Sequence, residues 1–278
     1  MNMRTVKDTI MKMLIFLSAF ITIGILVWII GFVVTRGIKH INLAFLFTFP
    51  KGDEGGIFPY IMNTLYMILL SLSIATPIGV LAAIYLVEYT NSHPVVKFIV
   101  RVIRFATESL AGIPSIIFGL FGMLFFVIIL GLSWSLLSGA LTLSIMVLPT
   151  IIRTTEEALK AVPSSFREAS LGLGASKLRT VYKAILPSAI PGILTGVILS
   201  VGRVVGETAA VIFTAGSAVN LMKNLSTSGR TLSVHMYILA KEGISFDMAY
   251  ATATILLIIV FVINLSTNML AKRLNKAV

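Results

Sequence analysis

The sequence predicts an all-α integral membrane protein, a bundle of six membrane-spanning helices with both ends on the inner side. Three observations predict it. Of the 278 residues, 57% are hydrophobic and only 12% charged, with a mean hydropathy of +1.00, whereas a soluble domain is about a quarter charged. Apolar runs of bilayer-spanning length recur from end to end. With the N-terminus inside, 15 of the 22 basic residues fall in inner segments and 6 in outer ones, the asymmetry that sets membrane orientation. The net charge of +11 is therefore a topology signal and not a nucleic-acid footprint.

The spans fall at 13–34, 61–87, 109–130, 136–152, 190–216 and 249–270. Arg4, Lys7 and Lys12 precede the first. It is longer than a signal-peptide core and ends at no small-x-small cleavage site, so it reads as an uncleaved anchor. Residues 1–59 form an anchor helix with an outer segment, and 60–271 a compact bundle domain. In the third span Gly112 and Pro114 either break the helix or merely kink it, the kink being the simpler reading. The fourth span has only 17 residues, with Pro149 near its end.

Arg153–Pro187, between the fourth and fifth spans, is the longest inner stretch and is polar. Ser165 and Glu168 have capping-box spacing, and Gly172 and Gly174 offer a stop. Ser176–Leu186 then reads as a second short helix closed by Pro187. This helix-turn-helix on the inner face is either a docking surface or a plain connecting hairpin.

The fifth span carries Arg203 and Glu207 inside an apolar run. A charge at the bilayer centre costs about 2.5–3.5 kcal/mol on insertion scales, so such residues face a bundle interior or a water-filled path. On one continuous helix, Gly192, Gly196, Ser200, Arg203, Glu207, Ala210 and Thr214 share a sector about 80° wide. That stripe is either a packing seam with a structural ion pair or the wall of an ion path. For an anion, Glu207 would cancel Arg203 unless the pair separates. In the outer segment 217–248, Thr231–Ala240 suggests a short interfacial helix, either lying on lipid or lining a docking surface.

Several classes drop out. There is no cysteine, His40, His93 and His235 are scattered, and no metal site is expected. No nucleophile–base constellation exists, so no catalytic residue is assigned and the chain is not read as an enzyme. The phosphate-loop pattern is absent, and Gly172–Lys177 lacks its spacing and its preceding strand. No cofactor is expected, and any ATP would be used by a partner subunit.

Two sets of residues carry a resemblance. Glu168-Ala-Ser-Leu-Gly-Leu-Gly174, followed by Ala184-Ile-Leu-Pro187, resembles the EAA loop of ABC importer permeases. Ser170 and Ala184 depart from its pattern, while Glu168, Ala169, Gly174, Leu186 and Pro187 match. The blocks Leu110–Gly122, Arg153–Leu159 and Gly202–Gly216 are similar to phosphate-uptake permeases, most closely to the A-type subunit of their pair. The resemblance covers about 60–271. It implies a type I ABC importer permease fold whose coupling helix seats in an ATPase cleft. It further implies a multi-pass inner-membrane location and, as partners, an ATPase dimer, a second homologous permease, an extracytoplasmic phosphate-binding protein, inorganic phosphate and membrane lipid, but no nucleic acid. Glu168, Ala169, Ser170, Gly174, Leu186 and Pro187 would then couple to the ATPase. Arg203, Glu207, Ser200 and Thr208 would line the substrate pathway. An ion-coupled secondary anion carrier using Arg203 and Glu207, or an ABC permease for another oxyanion, are the alternatives.

Overall fold

The computed structural model describes residues 3–51, 54–90 and 94–275. His93 and Lys276, which entered the histidine and basic-residue readings, lie outside them. Helix α1 (Met3–Gly37) leads through a 3-10 turn and α2 (Leu43–Phe47) to a two-residue hairpin, β1 (Pro50–Lys51) with β2 (Glu54–Gly55). The bundle follows: α3 (Phe58–Glu88), α4 (Pro94–Ala111), α5 (Ser115–Gly122) with a π-helical continuation to Ile129, and α6 (Leu136–Ala161). Next come α7 (Ser164–Gly172), α8 (Lys177–Thr180), a π-helical turn at Val181–Ile185, α9 (Leu186–Val205), α10 (Ala209–Thr214), α11 (Leu232–Lys241) and α12 (Phe246–Asn275).

Five helical stretches are long and apolar enough to cross a bilayer: Lys7–His40, Phe58–Glu88, Leu136–Ala161, Lys177–Val205 and Phe246–Thr267. The sixth expected span differs. Its two halves, α4 and α5, meet at 107° across Gly112–Pro114, so the break is a corner and the kink reading is overturned. Pro114 has an extended conformation (φ −59°, ψ 141°) and cannot continue α4, because its ring removes a donor and clashes with the preceding turn.

Two boundaries move the other way. The fourth span does not stop at 152: α6 runs unbroken through Pro149 to Ala161. Pro149 is buried among neighbours, and packing offsets the one hydrogen bond it removes. Nor does Pro187 close a short helix. The π turn at Val181–Ile185 passes directly into α9, with Pro187 in its first turn, where a proline needs no donor. The fifth span therefore begins at Lys177.

α3 and α6 form the central pair, and small residues bring them together. Gly79 packs on the Ile151 side chain and Gly139 on Met67, while Ser144 Oγ donates to the Ser71 carbonyl at 2.9 Å. Close approach of this kind drives helix association where lipid removes the hydrophobic incentive. α1 stands apart. Residues 7–30 are exposed throughout, apolar surface that a bilayer covers, and only the C-terminal end of the helix packs, through Gly37 against Tyr250 and Thr254 of α12.

Candidate functional site

The fifth span supplies the first region. α9 ends at Val205, Gly206 caps it, and Glu207 and Thr208 lie outside any helix before α10 begins. The continuous stripe through Arg203 and Glu207 is therefore interrupted between them, and the expectation of one polar face from 192 to 214 does not hold. The reason is local. Gly206 ends the hydrogen-bond ladder, and Glu207 starts a new helix by accepting from Ala210 N–H through Oε1 at 3.1 Å. A carboxylate at a helix start satisfies orphan amides and meets the positive end of the helix dipole.

Glu207 is 8% exposed, and its carbonyl accepts from Ser233 Oγ at 2.8 Å, tying the break to α11. Arg203 is half-buried on the last turn of α9 and forms no ion pair among the described residues. The two charges are not a pair. Ser200 is buried and donates to the Gly196 carbonyl at 2.9 Å. Gly192 and Gly196 pack against Ala158 and Thr154 of α6. So the small-residue half of the expected stripe is a packing seam; beyond Ser200, Arg203 is half-buried and Glu207, Ala210 and Thr214 are buried. Thr208 accepts at its carbonyl from Ile212 N–H at 3.0 Å, in the first turn of α10.

A polar knot outside this break was not apparent in the sequence. Asn63, on an otherwise apolar stretch of α3, donates to the Asn220 and Arg230 carbonyls at 2.8 and 3.0 Å and accepts from Met222 N–H at 2.8 Å. Buried Arg230 donates to the Ser217 carbonyl at 2.9 Å and lies over the Tyr60 ring, which stacks on His235. These bonds fold segment 217–231 onto α3. A buried asparagine in an apolar run was the available signal, since such a group must find partners.

The segment between α6 and α9 carries the second region. α7 starts two residues earlier than the capping-box spacing suggests. Pro163 is its N-cap, with no side-chain bond, so Ser165 and Glu168 sit within the helix and the box is not made. The stop is as read: Gly174 has φ +81°. Gly174 N–H donates to the Leu171 carbonyl at 2.9 Å, and Ala175 N–H to the Ser170 carbonyl at 3.2 Å, the bond pair of a Schellman ending. A Cβ at Gly174 would meet nothing within 4 Å, so backbone conformation alone demands glycine, worth roughly 1–2 kcal/mol against other residues.

Glu168 and Ala169 are exposed, and Ser170 Oγ lies 2.9 Å from Thr180 Oγ1, joining α7 to α8. Around them stand apolar side chains open to solvent, Phe166, Leu171 and Leu178, with Leu173 at 90% exposure. Exposed apolar residues clustered on a polar segment mark an interaction surface. Leu186 and Pro187 do not share it; they begin α9, and Leu186 packs on the inner core.

One residue holds this surface to the bundle. Arg167 donates through Nε and Nη2 to Glu88 Oε1 of α3 at 3.1 and 2.8 Å. It also donates to the Val162 and Leu159 carbonyls, beyond and within the last turn of α6, at 3.0 and 2.9 Å. Glu88 and Arg167 are 79 positions apart, and sequence spacing gave no reason to pair them. Nearby, Glu156 accepts from Arg104 of α4 at 3.2 Å and from Lys160 at 2.7 Å. Charged side chains thus cross-link α3, α4, α6 and α7.

Comparison with known proteins places this architecture. Residues 75–278 match the family model described as binding-protein-dependent transport system inner membrane component. The chain is 33% identical over 291 residues, 98% of each chain, to the probable ABC transporter permease protein YqgI of Bacillus subtilis. It is 35% identical over 268 residues, 94% of this chain and 93% of the relative, to the phosphate transport system permease protein PstA of Pasteurella multocida. Among solved structures, a subunit of the MetNI methionine ABC transporter in an inward-facing conformation superposes with a TM-score of 0.61 at 23% identity, over 79% of this chain and 94% of that one. A bacterial alginate ABC importer superposes at 0.66 with 17% identity, over 97% and 99%. The fold is that of type I ABC importer permeases, and a transport subunit, not an enzyme, is what such relatives are. With 204 of its residues under the family model and PstA-like relatives along nearly its whole length, the chain belongs to the inner-membrane permease components of binding-protein-dependent ABC importers.

Proposed function

We propose that the chain is the PstA-type subunit of an ATP-driven importer of inorganic phosphate, pairing with a second permease and receiving phosphate from an extracytoplasmic binding protein. Likeness to PstA chains over more than nine-tenths of the length supports the substrate class. One geometric observation carries the site assignment: Glu207 is engaged with the start of α10, while Arg203 has no ion-pair partner among the described residues. The sequence posed an objection, that the glutamate would cancel the arginine for an anion. With the carboxylate directed to Ala210 N–H, Arg203 offers its charge on the last turn before the helix break, with Ser200 a turn earlier on α9 and Thr208 in the break itself.

On the inner side, Glu168, Ala169, Ser170 and Gly174 form the helix and stop that seat in an ATPase, and Leu186 and Pro187 fix where α9 departs from it. An ATPase dimer supplies the energy. Family membership favours this over a self-sufficient ion-coupled carrier. Uptake into cells expressing the complex should collapse on ATP depletion and survive an uncoupler, with excess sulfate failing to compete against phosphate. Competition by sulfate would move the assignment to another oxyanion; collapse with the uncoupler alone would overturn the ATP-driven reading.

Both termini are assigned to the cytoplasm on the 15-to-6 distribution of basic residues. The chain lacks cysteine, so Leu173→Cys and Ser226→Cys, both at exposed positions, report the two faces. An impermeant thiol reagent added outside should label Ser226→Cys in intact cells and reach Leu173→Cys only after lysis. The reverse pattern would invert the topology.

A further inference from the structure

α4 has three faces. At about 100° per residue, Val96, Val100 and Ile103 lie on one side and pack into the inner core. Lys97, Arg101 and Arg104 lie on a second; Arg104 bonds Glu156 and the Leu86 carbonyl. Lys97 and Arg101 are exposed and form no ion pair among the described residues. The third face is apolar and uncovered, with Phe98, Val102 and Phe105 at 64%, 48% and 70% exposure. The orientation is set independently. α4 begins just after the inner end of α3, beside the α7 attachment at Glu88, and turns 107° into α5. Taking Ser115–Ile129 as the crossing half of this bent pair sets α4 near the membrane plane.

We propose that α4 is an in-plane helix that seats Phe98, Val102 and Phe105 at the headgroup–acyl boundary of the inner leaflet, and that Lys97 and Arg101 select anionic phospholipid there. An apolar stripe bordered by basic residues is the arrangement that binds an interface by burial plus charge. Lys97 and Arg101 border the stripe along one edge, where long side chains keep their stems on apolar surface and their charges at the headgroups. Each basic residue near such a surface favours anionic lipid by about fivefold. Through Arg104, a lipid-seated α4 braces Glu156 of α6 and the Leu86 carbonyl of α3, the helices that hold the coupling segment.

The test needs no transport activity. In a background where Trp28→Phe and Trp134→Phe remove the native tryptophans, Phe105→Trp places one fluorophore on the stripe. The full chain is reconstituted in vesicles of equal parts phosphatidylcholine and phosphatidylglycerol, with bromine on the acyl chains of one lipid or the other. Quenching is expected from both, several-fold stronger from brominated phosphatidylglycerol. That preference should vanish in Lys97→Gln/Arg101→Gln and return in Lys97→Arg/Arg101→Lys. Absence of quenching would show that protein, such as a second copy of this chain, covers the stripe. Equal quenching by the two lipids in the parent would show an apolar seat without headgroup selection. Either result overturns the proposal.

Discussion

Arg203→Gln should lower phosphate uptake by roughly tenfold to a hundredfold while leaving the amount of assembled complex unchanged. The magnitude is that of one hydrogen bond to a charged group, about 1.5–3 kcal/mol. The sparing of assembly follows from geometry. Were Arg203 and Glu207 a buried pair, removing one would strand the other, at about 3–5 kcal/mol. They are not paired: a helix break separates them, and Glu207 is bonded to Ala210 N–H. Glu207→Gln keeps an oxygen for that bond and should fold normally. Glu207→Ala removes the cap and should destabilise by about 1–2 kcal/mol. In a double-mutant cycle on stability, Arg203→Gln and Glu207→Gln should add to within about 0.5 kcal/mol, as independent sites do. A coupling well above that, or full uptake by Arg203→Gln, would show that the two act as a structural pair and not as pathway groups.

That expectation departs from the sequence reading, and the departure has a physical source. Apolar runs locate spans because length and hydropathy are all that a bilayer demands of them. They do not report where a helix ends inside the run. Gly206-Glu207-Thr208 carries the same punctuation as a loop, a glycine stop followed by an acidic cap. Helix punctuation was legible in the polar segment at Gly174 and passed over in the apolar one. Prolines misled in the opposite direction. Pro149 and Pro187 look like terminators in the sequence, yet one is buried in a packed helix and the other follows a π turn that accommodates it. Pro114 does terminate, and differs in having Gly112 two residues before it and an extended backbone. Proline breaks a helix where nothing else holds the turn, and the sequence does not show what holds it.

The coupling segment divides the same way. Its glycine stop and its overall place between spans were readable, because both rest on local backbone rules. Its attachment was not, because Glu88 and Arg167 meet only through the tertiary fold. Asn63 and segment 217–231 are a second case, with partners more than 150 positions away. In both, the lone polar residue was visible and its partner was not.

The attachment yields the second large effect. Arg167→Ala should uncouple the complex. Glu88, 8% exposed on its side chain, would lose its partner, and the Leu159 and Val162 carbonyls would lose their donor. Stranding a buried carboxylate costs about 3–5 kcal/mol, and Arg167, a quarter exposed at 24%, places this case near the lower figure. The cost falls mainly on how α7 sits, because α3 and α6 also meet away from Arg167, through Gly79, Gly139 and Ser144. The bundle should therefore stay helical in detergent, while uptake falls at least tenfold and substrate no longer stimulates ATP hydrolysis by the co-purified ATPase. Arg167→Lys should be intermediate, since an ammonium cannot fork to a carboxylate and two carbonyls as a guanidinium does. Glu88→Gln combined with Arg167→Met removes both charges and should recover much of the stability without recovering coupling. Replacing a buried pair by neutral groups is often close to neutral in free energy, whereas a motion passed from α7 to α3 needs the link itself. If this double variant transports at the parental rate, Arg167 only stabilises the fold, and force reaches α3 by another route.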